Sequence, residues 1–145
     1  MKGLRDWRRM CGILLAGLLI AGCVAPIIYK GYKLYQSSTQ ISVIVNIKEP
    51  ADKVYASAIS AIEKKKINKI VERNDKDMVL SLQSIENKDV EGSAKVNVLT
   101  SNSSTLIIEV NKVKGIDPEV QRKSIIDSVT SVCTELGYVC TEEKK

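Results

Sequence analysis

Four short apolar–polar alternations, joined by connections too short for a crossover, constrain this chain more than any other feature. The strand candidates are Ile67 to Glu72, Met78 to Ile85, Ser93 to Thr100 and Thr105 to Val110. Between them lie Asn74-Asp75-Lys76-Asp77, Glu86-Asn87-Lys88-Asp89 and Ser101-Asn102-Ser103-Ser104. Such residues favour turns, because short polar side chains bond back to their own backbone. Parallel neighbours need a crossover of a dozen or more residues, so these strands are predicted to run antiparallel. Met78, Leu80 and Leu82 share one face, as do Val96 and Val98, and Leu106, Ile108 and Val110. The opposite positions are largely polar, so one side of the sheet is expected to be wet.

Two helices and one more strand complete the pattern. Ile41, Val43, Val45 and Ile47 alternate as a half-buried strand does. Pro50 then opens a helix, where its missing N–H is harmless, with Val54, Ala58, Ala61 and Ile62 as a narrow apolar face. Lys64-Lys65-Lys66 closes it, cations being favourable at the C-terminal end of the dipole. Further on, Asp117 caps a second helix, Pro118 takes its first position and Gly137 ends it. Its stripe is Ile125, Val129, Val132, Cys133 and Leu136. The reading is an α+β domain over residues 41–140, ordered β-α-β-β-β-β-α, with both helices on one face of a twisted antiparallel sheet. Residues 141–145 form a charged tail.

The N-terminus reads differently. Met1 to Arg9 is short and basic, and Met10 to Ile20 is apolar, the first two zones of a secretory signal. Ile20-Ala21-Gly22-Cys23 follows, and resembles the lipobox of bacterial lipoproteins. That resemblance implies a signal peptide over 1–22, cleavage between Gly22 and Cys23, a diacylglyceryl thioether on Cys23 and acylation of its new amino group. Several acyl chains, at about 0.8 kcal/mol per buried methylene, anchor far more firmly than one. Val24 rather than aspartate follows the cysteine. In enteric-type bacteria this favours the outer membrane, facing the periplasm, over retention at the inner one. The competing reading is an uncleaved anchor, since the apolar stretch extends from Met10 to Ile28, roughly the 20 residues of a span.

Residues 23–40 read as the lipidated cysteine and a tether without a consistent period. Within it Tyr29, Lys30, Tyr32, Lys33 and Tyr35 interleave aromatic and basic side chains. These suit the headgroup layer of a membrane; packing as a strand or helix edge on the domain is the equal alternative.

The charge excludes one class of partner. The chain carries a net +5, but residues 1–22 hold four basic residues against one acid. From Cys23 onward 18 basic face 16 acidic residues, a net of +2. That is too balanced for the electrostatic footprint of a nucleic-acid binder. With no histidine in the chain, Ser–His–Asp and Cys–His catalysis is impossible. No catalytic residue, metal site or cofactor beyond the lipid on Cys23 is expected, and Asp75 and Asp77 read as part of a turn. Cys133 and Cys140 are the even pair left in an oxidising compartment. A structural disulfide is the favoured reading, with free buried thiols as the alternative.

The run Asn46-Ile47-Lys48-Glu49-Pro50-Ala51-Asp52-Lys53-Val54-Tyr55 carries two resemblances. One is to a group of small bacterial lipoproteins of unknown function, with a lipobox, short tether, strand and Pro-x-Asp-x-Val-Tyr/Trp helix start. The other is to helix-grip domains, some of which hold lipids between sheet and long helix. The chain is shorter than the cavity-forming members and lacks large interior aromatics, which counts against a sizeable pocket. The function expected is a non-catalytic envelope lipoprotein, bound to the bilayer through Cys23, whose domain meets an envelope protein or component. A helix-grip carrier of a lipid or small hydrophobic ligand, and an uncleaved inner-membrane adaptor, are the alternatives.

Overall fold

The computed structural model describes residues 28–143. Seven strands and two helices follow in the order β1 (Ile28–Gln36), β2 (Gln40–Ile47), α1 (Ala51–Lys65), β3 (Asn68–Asn74), β4 (Val79–Ser84), β5 (Glu91–Thr100), β6 (Ser103–Asn111), α2 (Pro118–Glu135) and β7 (Tyr138–Glu142). One sheet holds all seven strands in the order β3-β4-β5-β6-β2-β1-β7. Every pair is antiparallel except β1 with β7, which are parallel. The α+β architecture and the two helices on one sheet face are as expected.

Alternation decides the layers. Ile41, Val43, Val45 and Ile47 of β2, Leu80 and Leu82 of β4, Ala94 and Val96 of β5, and Leu106 and Ile108 of β6 are all buried beneath the helices. Register aligns them across the sheet: Val43 opposes Ile108 and Ile108 opposes Ala94. The intervening rows, such as Ile44, Ile107 and Lys95, form the open face.

Local chemistry ends the helices. Pro50 sits one place earlier than expected, as the cap residue of α1 rather than its first helical position. Lys66 closes α1 in the left-handed region at φ 53°. In α2 the Asp117 carboxylate accepts the Glu119 N–H at 2.9 Å. The buried Gln121 side chain donates to the Asn111 carbonyl at 2.9 Å, fixing the helix to the end of β6. Gly137 turns the chain out of α2 at φ +80°, a conformation that costs a residue with a Cβ.

Two strands on one side of the sheet depart from the sequence reading. Residues 28–36, expected in the tether, are β1, and residues 138–142 are β7. Tyr32, expected at a membrane headgroup layer, is only 5% exposed, inside the core opposite Val45. Pairing with β2 supplies hydrogen bonds that a tether would leave to water, and burial of the ring completes the core beside α2. Lys33 and Tyr35 are exposed on the same strand; Lys30 lies 5.9 Å from the centre of the Tyr138 ring.

Candidate ligand cleft between the helices and the sheet

The cleft arises where small residues meet. On its sheet-facing side α1 carries Ala58 and Ala61, and β5 places Ala94 in the opposing floor. From the third side α2 presents Ser124, Ser128 and Ser131. Layers packed at normal separation through such short side chains do not close the space between them. A cleft of about 250 Å³ remains, walled by Ile62, Leu82, Ile108 and Val132. A side lobe of about 60 Å³ continues it past Gly92 and Gln121, sharing Leu82, Ile108 and Ser128 with the main space. The lack of large aromatics, read above as counting against a pocket, is what leaves it open: the chain has no phenylalanine to fill the interior.

Its lining is apolar despite the serines. Ser128 Oγ donates to the Ser124 carbonyl at 3.0 Å and Ser131 Oγ to the Asp127 carbonyl at 2.6 Å. Those hydroxyls are spent on the helix's own backbone, so they do not demand a polar guest. Charge gathers at the rim, where Lys65, Lys123 and Asp127 stand, and Lys65 Nζ reaches the Asp127 carbonyl at 3.4 Å. Two lining side chains, Ile67 and Val120, are 47% and 61% exposed and make the entrance apolar.

The other polar clusters brace the walls. Tyr55 OH donates to Asp75 Oδ1 at 2.9 Å, and Arg73 bonds the same carboxylate, tying α1 to the β3–β4 hairpin. The Arg73 bond, then the Tyr55 bond, hold the Asp75 carboxyl below its ordinary range, while burial and that carboxylate push Tyr55 up. Asp77 accepts from Asn74 Nδ2 at 2.8 Å, so the 74–77 stretch is the turn that its composition indicates. At the start of α1, Glu49 takes bonds from Lys53 at 3.0 Å and Tyr138 at 2.9 Å. The Lys53 bond is the main cause that lowers its carboxyl, with the Tyr138 bond next. Ser104, fully buried, donates to the Glu49 carbonyl at 3.0 Å.

Of the residues singled out in the sequence, Gly22 and Cys23 lie outside the described residues, as do the cleavage and lipidation assigned to them. Cys133 and Cys140 are joined in a disulfide, with Cα atoms 6.1 Å apart, tying α2 to β7. Neither they nor Tyr32, Lys33 and Tyr35 line the cleft. The sequence placed Ala58, Ala61, Ile62, Leu82, Ile108 and Val132 on apolar faces, but nothing in it set Ser124, Ser128 and Ser131 opposite them or marked a space between.

No family model matches the chain, nor does any curated protein sequence. Several solved structures are similar to it. A di-domain aromatase/cyclase, BexL from the BE-7585A biosynthetic pathway, has a TM-score of 0.49 at 12% identity, over 68% of this chain and 45% of that one. This chain therefore spans under half of that protein's length. Zhui aromatase/cyclase from Streptomyces sp. R1128 has a TM-score of 0.46 at 12% identity, over 67% of this chain and 93% of that one. A START superfamily protein from Mycobacterium smegmatis has 0.38 at 13%, over 69% and 95%. These are helix-grip domains, in line with the second of the two resemblances; the likeness to a lipoprotein group gains no support from them. Two of the three are named as aromatase/cyclases, which goes against the expectation, made from the sequence, that this chain is not an enzyme.

Proposed function

We propose that the domain binds a small apolar molecule in the cleft between α1, α2 and the sheet. The observation that carries this reading is the cleft itself, about 250 Å³ of space with apolar walls. That is slightly below the usual range of ligand sites, so the guest is small: a medium-length acyl chain or a fused pair of rings. Rim lysines beside an apolar interior suit an amphiphile whose polar end stays at the entrance. The reading takes the place of a sheet-face contact with an envelope protein. We further propose that the domain is held at a bilayer by lipid on Cys23, on the strength of the basic, apolar and Ile20-Ala21-Gly22-Cys23 sequence before it.

Titration with Nile red, together with native mass spectrometry of the freshly purified protein, tests the cleft. The expected result is saturable binding at one site, lost in a Ser128→Phe variant that fills both lobes and keeps the wild-type circular dichroism. Equal binding by the variant, or no saturable binding by the wild type, rules the proposal out.

A further inference from the structure

The chain enters the domain at a particular end of the sheet. Strand β1 begins at Ile28 and runs antiparallel to β2, so its start lies beside the end of β2 at Ile47. Ile47 pairs with Ser104 of β6, and Ser104 pairs with Val98 of β5. The β5–β6 turn therefore stands at the same end, three strand spacings from β1, or roughly 14 Å. At this turn Val98 is 64% and Leu99 55% exposed, two large apolar side chains side by side at a hairpin tip. Nothing in the turn requires them, since Thr100, Ser103 and Asn102 make its hydrogen bonds.

The same end carries cations. Lys30 and Lys48 stand at the start of β1 and the end of β2, whereas Lys53 is paired with Glu49 at 3.0 Å and Asp52 lies beside it in the first turn of α1. The segment that precedes β1 is the apolar stretch Met10 to Ile28 that contains Cys23. Five residue steps separate Cys23 from Ile28, a reach of at most about 18 Å even when fully extended. A lipid on Cys23 thus leaves this end of the domain no room to stand clear of the membrane.

We propose that the end of the sheet formed by the β1 start and the β5–β6 turn rests on the bilayer surface, with Val98 and Leu99 inserted at the interface. This rests on lipid attachment at Cys23. Hydrophobic insertion and lysine attraction to anionic headgroups then act together, as in other peripheral anchors. The orientation has a consequence for the cleft. Its exposed lining residues, Ile67 before β3 and Val120 at the start of α2, lie at the opposite end of the sheet, where Asn68 pairs with Ser84. The entrance then faces away from the lipid, so the ligand is taken from the aqueous side or from a partner there.

Trp7 is the only tryptophan in the chain, so a Trp7→Phe background gives a silent starting point. Leu99→Trp then reports on the hairpin tip, and Ile85→Trp, at an exposed position of the opposite end, serves as reference. Chains expressed from the full sequence in a lipoprotein-processing bacterium are reconstituted into phosphatidylethanolamine–phosphatidylglycerol vesicles with brominated acyl chains. The expected result is a blue shift and loss of emission for Leu99→Trp and neither for Ile85→Trp. Chains that float with the vesicles but quench no more at position 99 than at 85 overturn the orientation and leave lipid attachment standing. Chains that carry no acyl mass and do not float overturn both.

Discussion

Reduction of the Cys133–Cys140 bond isolates one contribution to stability cleanly. The bridge spans a sequence separation of seven, and both cysteines are buried, at 0% and 5% exposure. Replacement by alanine would remove buried sulfur along with the bond, mixing a cavity with the lost crosslink. Reduction keeps both sulfur atoms and adds only a hydrogen to each. Restricting so short a loop in the unfolded chain contributes about 2.5 kcal/mol on the chain-entropy estimate. For a domain of this size each kcal/mol moves the melting midpoint by about 4 °C, so the reduced protein is expected to melt about 10 °C lower. The measurement is thermal unfolding by circular dichroism, with the thiols counted by alkylation and mass. Because the bridge joins β7 to α2, amides of Tyr138–Glu142 are also expected to exchange faster after reduction, ahead of those in β2 and β6. A fully reduced protein that melts within about 2 °C of the oxidised one would refute the reasoning, since the loop term would then be absent or cancelled by strain.

Two further outcomes follow from close geometry. A Cβ built at Gly92 comes within 2.5 Å of the Glu109 carbonyl on the paired strand, so Gly92→Ala is expected to cost about 1 to 3 kcal/mol in a urea titration; an unchanged midpoint would mean that β5 and β6 are not packed as described. Glu49 has its carboxyl lowered from the ordinary 4.5, first by the bond from Lys53 and then by that from Tyr138. A lowered folded value means that the contribution is complete above the unfolded value and is lost as pH falls through the folded one. Wild-type stability is therefore expected to drop on acidification below about pH 4.5, and Glu49→Gln to flatten that part of the profile; identical acid limbs in the two proteins would count against the Lys53 and Tyr138 bonds to Glu49.

The sequence by itself determined the middle of the molecule. Alternation in Ile41–Ile47, Leu80–Leu82 and Leu106–Ile108, broken by polar turns, left few ways to arrange those strands other than as antiparallel neighbours. Asp117-Pro118 and the stripe from Ile125 to Cys133 defined α2 because capping and amphipathic period are local properties. Tertiary structure alone decided the β1–β7 side of the sheet and the cleft. The parallel pairing of β1 with β7 joins the first and last described strands, and Tyr29-Lys30-Gly31-Tyr32-Lys33 has no period to announce it. Tyr32 enters the core because β2 and α2 are already in place to receive it, a non-local gain of buried area that no window of sequence contains. The cleft is a matter of what α1, β5 and α2 bring opposite one another. Alanine and serine each read as unremarkable in their own element, and only their meeting across three elements leaves room for a guest.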